Sequence, residues 1–374
     1  MPKSEGLRTV RVSLFGFGNV GRGFVELVAE KDGELARDFD LRLLFTAVGT
    51  RGHGSLLAPR GRDATAVLAA WRSGRFDDAE RAADELLGAS GADVLVEATT
   101  LEARGGGVAA RHIEAAFATG MDVVTVNKGP IAWEYRRLAD RARVSGRRLR
   151  CEGTVLDGTP VFNLCDATLR GCRVLGFDGV LNSTTNYVLD AMGEGGGFAA
   201  ALAHAQEQGF AEADPAHDVD GHDAAAKTAA LANVLMDARI TPDQVARESI
   251  AGVTPERVRH AWEAGRRLRV VCTVLPADLA RVAELPVSGA GPSGGTGGAA
   301  APEGAAAPPV PIRASVKVLE LPPEHPFFSV GGSSAALILH TDLMGDVEIV
   351  EREGLPAQTA YAVYSDLLDL YGRR

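Results

Sequence analysis

The sequence predicts an α/β protein: a doubly wound parallel sheet over residues 1–152, followed by a second unit of α+β type. Three observations carry this. A short apolar run, Val10 to Phe15, passes directly into Gly16-Phe17-Gly18-Asn19-Val20-Gly21 and then into Phe24, Val25, Leu27 and Val28 at helical spacing, which reads strand, glycine turn, helix. Further apolar strands alternate with helical stretches up to Glu152, the pattern of parallel strands joined by crossover helices. Beyond Glu152 the texture changes, with polar loops, an Ala-rich helix and several strands in succession, so a second unit begins there.

In the first unit the G-x-G-x-x-G turn is the most informative stretch. Glycines there let a backbone approach a pyrophosphate and lay it on a helix N-terminus, where unpaired N–H groups attract anions. Gly16, Gly18, Asn19, Val20 and Gly21 are therefore candidate cofactor contacts in a Rossmann-type domain. An ordinary Gly-rich turn would look the same in isolation, but the flanking strand and helix favour the dinucleotide. A second strand, Leu41 to Val48, ends in Gly49-Thr50-Arg51 with no acidic residue at its tip to take a ribose hydroxyl. Thr50 and Arg51 suit a 2′-phosphate, which points to NADP, with NAD as the alternative and a solvated loop charge as the plain reading of Arg51. Helices are expected over 63–90, then a strand from Asp93 to Ala98 ending in Thr99-Thr100, a helix near 106–119 and a strand from Asp122 to Val126. Ligands of such sheets sit at the carboxyl ends of the strands. Thr99 and Lys128, in Asn127-Lys128-Gly129-Pro130, fall at such ends, although Lys128 would also serve to cap a loop. Arg148 to Glu152 reads as the last strand.

In the second unit one stretch concentrates the chemistry: GFAEADPAHDVDGHDAAAK at 209–227. A helix is expected at 222–237, with Asp223 and Lys227 four apart on one face, carboxylate first, the favoured order. Such a pair is usually a surface ion pair of little weight. Lysine scarcity argues otherwise, because the chain has 39 Lys and Arg yet places Lys only at 3, 31, 128, 227 and 317. A lysine exchanges protons in response to its surroundings where an arginine does not. Lys227 is thus the first catalytic candidate. The polar run Asn182-Ser183-Thr184-Thr185-Asn186, after a strand at 174–181, is either a turn or the lining of a polar pocket. Helices follow near 198–208 and 254–264, strands near 268–275, 278–285, 312–320, 335–341 and 346–351, and a final helix near 357–371. Residues 287–309 are low-complexity Gly, Ala, Pro and Ser, expected to form a flexible loop with no catalytic role.

Composition excludes several classes. With 46% hydrophobic and 24% charged residues over 374 positions, the chain is a soluble globular protein with length for about two domains. A formal net charge of −10 argues against nucleic acid or an anionic membrane as partner. No signal-peptide core and no long apolar stretch are present, so a cytoplasmic location is expected. Cys151, Cys165, Cys172 and Cys272 show no metal-binding spacing and are expected to be reduced, mostly buried thiols.

Taken together, GFGNVG at 16–21, TVNKGP at 125–130, CEGTVLDGTP at 151–160, GVLNSTTNYVL at 179–189 and above all the 209–227 segment resemble the homoserine dehydrogenases. The resemblance implies NAD(P)-dependent interconversion of L-aspartate 4-semialdehyde and L-homoserine, a step in threonine and methionine biosynthesis. It places Lys227 at the reacting oxygen as proton donor, with Lys128 sharing proton transfer and Asp223 orienting the ammonium. Glu212, Asp218 and Asp223 would bind the substrate's polar ends, with Asn182 and Thr184 beside them. It implies that 153–355 is a catalytic and dimerisation domain, that the helix within 356–374 returns to the nucleotide domain, and that the protein is a homodimer. Glu152, with the carbonyls of Val155, Asp157 and Thr159, matches a segment that in the family holds a structural sodium ion. The chain departs from the family pattern at Val350 to Pro356, where only Gly354 remains of a Gly-rich turn, and at Ser334, where Asn is common. No kinase or regulatory domain is expected, nor feedback through one. Two other functions fit the same residues: a non-catalytic NADP-binding sensor of this fold, and a dehydrogenase of a related amino-acid semialdehyde.

Overall fold

The computed structural model describes residues 7–71, 74–76, 79–102, 104–207, 215–277 and 311–373. Two layers form where buried apolar runs recur. The first comprises β1 (Arg8–Phe15), α1 (Asn19–Phe39), β2 (Leu41–Gly49), β3 (Ser55–Arg62), α2 (Ala64–Ala70), α3 (Ala83–Ser90), β4 (Val94–Glu97), α4 (Gly107–Ala118), β5 (Asp122–Thr125), α5 (Lys128–Val144) and β6 (Leu149–Arg150). Its strand order is β3-β2-β1-β4-β5-β6. Val12, Leu14, Leu41, Phe45, Val94, Val96 and Val123 are fully buried, as strands covered by helices on both faces require. The order reverses between β1 and β4, the place at the carboxyl ends of the strands where sheets of this kind hold their ligands.

Two expectations need correction. β3 pairs antiparallel to β2, so the sheet is parallel except at this edge, and the sequence reading had no strand between 51 and 63. Pro59 and Gly61 hide it, since both are unfavourable in strand interiors; on an edge, beside a register shift, they are tolerated. The strand expected over 148–152 is only Leu149–Arg150, and Glu152 instead starts a 3₁₀ turn.

The second layer comprises α6 (Phe162–Thr168), β7 (Val174–Val180), α7 (Ser183–Gly193), α8 (Phe198–Glu207), α9 (Ala216–Val219), α10 (His222–Met236), β8 (Ala246–Arg247), α11 (Pro255–Glu263), β9 (Arg267–Pro276), β10 (Ile312–Leu321), β11 (Ala335–Thr341) and β12 (Gly345–Glu351). Its strand order is β12-β11-β7-β9-β10-β8, antiparallel except between β8 and β10. Phe177, Leu337, Leu339 and Cys272 of this sheet share one core with Ala225, Ala229 and Leu231 of α10. Alanines on α10 let it lie close against its neighbours, and Ile131 and Ala132 of α5 join the same core. The expected strand at 278–285 and the loop at 287–309 lie outside the described residues. The four cysteines are free; Cys151 and Cys272 are buried, the other two half-buried.

A last helix, α12 (Pro356–Tyr371), leaves the second layer and packs on the first. Ala360, Val363, Leu367, Leu370 and Tyr371 are buried in the core that also holds Val10, Phe24 and Val25. The Tyr371 hydroxyl donates to Asp122 at 2.8 Å, and the guanidinium groups of Arg8 and Arg148 lie 4.9 and 5.1 Å from its ring centre. From the same helix Asp366, only 1% exposed, accepts the Glu152 N–H at 3.1 Å and the Asn163 side-chain amide at 2.9 Å.

Burial pushes the Asp366 carboxyl up to about 7 against the amide hydrogen bond of Asn163. A carboxyl whose folded pKa is raised favours the folded state while protonated. Its stabilisation is complete below the unfolded value near 3.8 and is lost as pH rises through about 7. Urea unfolding should therefore show stability falling by a few kcal/mol, on an order-of-magnitude basis, between about pH 4 and about pH 8, and Asp366→Asn should flatten that slope. An unchanged slope in the variant would show that Asp366 does not titrate in this range.

Candidate active site

The glycine turn lies between β1 and α1. Gly16 adopts φ +89°, and a Cβ there would sit 2.1 Å from the Ala98 carbonyl oxygen. A Cβ on Gly21 would lie 2.0 Å from the carbonyl oxygen of Gly16, so the helix start packs directly on the turn. Gly18 differs: a Cβ there meets nothing within 4 Å, and this residue precedes α1 without a side-chain cap. The first N–H groups of α1, at Asn19 and Val20, thus face an open cradle, which fits the diphosphate of a nicotinamide dinucleotide.

At the ends of β4 and β5 a fully buried Glu97 organises the crevice rim. It accepts the Thr99 hydroxyl and, at 3.4 Å, the Thr125 hydroxyl, with His112 Nδ1 3.6 Å away. Asn127 reaches back to the Thr99 carbonyl at 3.2 Å while its side-chain oxygen caps α5 by accepting the Gly129 N–H at 3.0 Å. Lys128 is the next residue, so its position is tied to the rim that carries Thr99. Neither Glu97 nor His112 was singled out from sequence; an acid as the last residue of a buried strand was the available signal.

Three helix starts converge on Asp223. Lys128, opening α5, donates to Asp223 Oδ1. Lys227, one turn further along α10, lies 3.4 Å from Oδ2 and donates to the Leu181 carbonyl at 2.7 Å. Asn182 caps α7 by accepting the Thr185 N–H at 2.9 Å, and its amide donates to Asp223 at 3.0 Å and to Asp218 at 2.8 Å. Thr184 donates to Asp218 at 3.0 Å. The polar run at 182–186 is therefore a helix cap and first turn that also lines the cluster. Side-chain exposures of 20%, 13% and 19% for Lys128, Asp223 and Lys227 leave one open side.

Electrostatics follow from this packing. Burial opposes ionisation of Asp223, yet the ammonium groups of Lys128 and Lys227 hold its carboxyl well below the usual carboxylate range. Burial likewise opposes charge on Lys227, and Asp223, joined by Asp157, raises its pKa above the ordinary lysine value. Asp218 is pushed up by burial and by the neighbouring charge of Asp223. The arrangement holds a proton on Lys227 and presents it at the crevice.

Asp157 and the two atypical turns also meet near this cluster. Asp157, at φ +43°, accepts the Thr359 hydroxyl at 3.1 Å from the start of α12, and Glu351 accepts the Thr159 hydroxyl at 3.1 Å. Ser334 donates from its hydroxyl to the Arg352 carbonyl at 2.7 Å, joining the turn at 331–334 to that at 352–354. Glu152 turns away from the 155–159 loop: its carboxylate accepts the N–H groups of Val161, Phe162 and Asn163 at 2.7, 3.0 and 2.6 Å. That carboxylate does not fit a cation ligand, and no cluster of three or more His, Cys, Asp or Glu suited to a metal ion occurs among the described residues. Arg51 is exposed at the tip of β2. Glu212 lies outside the described residues.

A glycine cradle at the strand-order reversal, beside a buried lysine and carboxylate cluster, defines an NAD(P)-dependent oxidoreductase. Residues 16–152 match the family model for the NAD-binding domain of homoserine dehydrogenase, and residues 160–368 match that for homoserine dehydrogenase itself. The chain belongs to the homoserine dehydrogenase family. It is similar to the NAD(+)-dependent homoserine dehydrogenase of Pseudomonas canavaninivorans, 30% identical over 370 residues and covering 96% of each chain. It is also similar to a homoserine dehydrogenase of Methanocaldococcus jannaschii, 29% identical over 96% of this chain and 98% of that one. Among solved structures, the homoserine dehydrogenase of Thermoplasma acidophilum superposes with a TM-score of 0.76 at 25% identity, covering 97% of this chain and 99% of the other. Among the described residues no helix is long and apolar enough to cross a membrane.

The two ends of the glycine turn should respond differently to substitution. Gly18→Val should leave thermal stability within about 1 kcal/mol while abolishing tight dinucleotide binding, because its side chain enters the open cradle. Gly16→Ala should cost upwards of about 3 kcal/mol, since both its φ and the Ala98 carbonyl forbid a Cβ. Thermal unfolding beside a dinucleotide titration reads both; equal stability losses would show that Gly18 is not open.

Proposed function

We propose that this chain interconverts L-aspartate 4-semialdehyde and L-homoserine, with Lys227 transferring the proton at the reacting oxygen. The observation that carries the assignment of roles is the largely buried Lys128–Asp223–Lys227 cluster, whose Lys128 opens the helix that follows β5. When bound, NAD(P)H supplies the hydride. Lys227 donates a proton to the aldehyde oxygen as negative charge develops there, and in the reverse direction takes it from the hydroxyl. Asp223 orients both ammonium groups. Lys128 supplies a second positive charge and shares proton transfer. Asp218, Asn182 and Thr184 form a polar wall for the amino-acid end of the substrate, to which Glu212 contributes a further carboxylate. Gly16, Gly18, Asn19, Val20, Gly21 and Thr99 line the cofactor.

Residues 1–152 with α12 act as the dinucleotide-binding domain, and 153–355 as the substrate-binding and dimerisation domain. A homodimer in the cytoplasm is the reading that family resemblance supports, and the open face of the second sheet, with Leu319 and Val350 exposed, suits such a contact.

Lys227→Ala should lower kcat for semialdehyde reduction by about a hundredfold to ten-thousandfold while dinucleotide affinity is kept. The raised Lys227 pKa has a sign: reduction needs the ammonium, so its rate should hold until pH passes the ordinary lysine value, whereas homoserine oxidation, which needs the free amine, should rise with pH throughout. Steady-state rates in both directions across pH test this. Wild-type protein that binds the dinucleotide but turns over neither substrate would sink the assignment.

A further inference from the structure

The tip of β2, where a dinucleotide-binding sheet meets the adenosine ribose, carries no acid in its own segment, Gly49-Thr50-Arg51-Gly52. The fold supplies one from elsewhere. Glu80 Oε2 accepts the Gly52 N–H at 2.8 Å, which brings a carboxylate to the tip across 28 residues of chain. Two further bonds pin this approach: the Ser55 hydroxyl donates to the Ala79 carbonyl at 2.6 Å, and the Phe76 N–H donates to the His53 carbonyl at 2.8 Å. Phe17, inside the glycine turn, packs against Trp71 and Phe76 with ring centres 5.0 and 5.2 Å away, so the hairpin loop and the diphosphate cradle form one unit. Thr50, which the sequence offered as a partner for a 2′-phosphate, donates its hydroxyl to the Gly54 carbonyl at 2.6 Å instead.

We infer that Glu80 is the specificity-determining residue of the cofactor site, accepting the ribose hydroxyls of NAD and repelling the 2′-phosphate of NADP. This rests on the dinucleotide-binding reading above. With Oε2 held by a main-chain N–H, Oε1 is left to accept a hydroxyl. A phosphate monoester carries a charge approaching about −2 at neutral pH, and it would meet a fixed carboxylate at that place. Arg51 is the opposing charge. Both side chains are exposed and screened by solvent, but Glu80 is oriented by the Gly52 N–H that it accepts, whereas Arg51 sits on a long side chain.

The test is equilibrium binding of NAD+ and NADP+ to the full chain by calorimetry, for the wild type, Glu80→Gln and Arg51→Ala, with homoserine oxidation followed separately. The expected result is wild-type affinity for NAD+ at least about tenfold above that for NADP+, a preference that Glu80→Gln removes without lowering the unfolding temperature. Arg51→Ala should leave the preference in place. Tighter binding of NADP+ by the wild type, or a ratio unchanged in Glu80→Gln, overturns the inference while leaving the dehydrogenase reading intact. Dinucleotide binding with the expected ratio but no homoserine oxidation sinks the substrate assignment and spares this one; failure to bind either dinucleotide overturns both.

Discussion

Where the two layers meet, the structure depends on one buried carboxylate holding two lysines. Asp223 meets Lys128 from α5 and Lys227 from its own helix, and Asn182 from α7 completes its hydrogen bonds. Three charges in a site closed on most sides are costly to desolvate, and removing one partner from such a set costs far more than the pair contributes net. The cluster is therefore better understood as a device for position than as a source of stability. It fixes the first turns of helices drawn from both layers and so ties the two layers together at one point.

The supports lie outside the cluster. Glu97, Thr125 and Asn127 bind the ends of β4 and β5 together immediately before Lys128, so its helix start cannot shift without breaking buried hydrogen bonds. On the other side Asp157 and Thr359 tie the loop at 152–159 to the start of α12. Gly158 marks how close this approach is, because a Cβ there would lie 2.2 Å from the Gln358 carbonyl oxygen. The two turns that depart from the family pattern are bonded to one another and to this same region. Ser334 donates to the Arg352 carbonyl, and Glu351 accepts the Thr159 hydroxyl.

Much of this was legible in sequence where a local rule governs it. The glycine turn, the helix from His222 and the pairing of Asp223 with Lys227 follow from spacing alone, and lysine scarcity pointed to Lys128 and Lys227 before their contact was visible. What escaped is non-local or locally disfavoured. β3 carries Pro59 and Gly61, whose tolerance depends on an edge position that only the assembled sheet creates. Glu80 acts at β2 through a bond to Gly52 that no window of sequence contains. Glu152 looked like a ligand by motif but is spent on the N–H groups of α6, and the polar run at 182–186 proved to be both of the things it resembled, a cap and a wall.

The return of α12 to the first layer also governs the order in which the chain can mature. During synthesis an N-terminal unit ordinarily folds as soon as it emerges. Here the core around Val10, Phe24 and Val25 is shared with Val363, Leu367 and Tyr371, so it stays open on one flank until α12 has left the ribosome. The nucleotide-binding layer is thus completed by the helix that crosses back to it after the second layer has been synthesised.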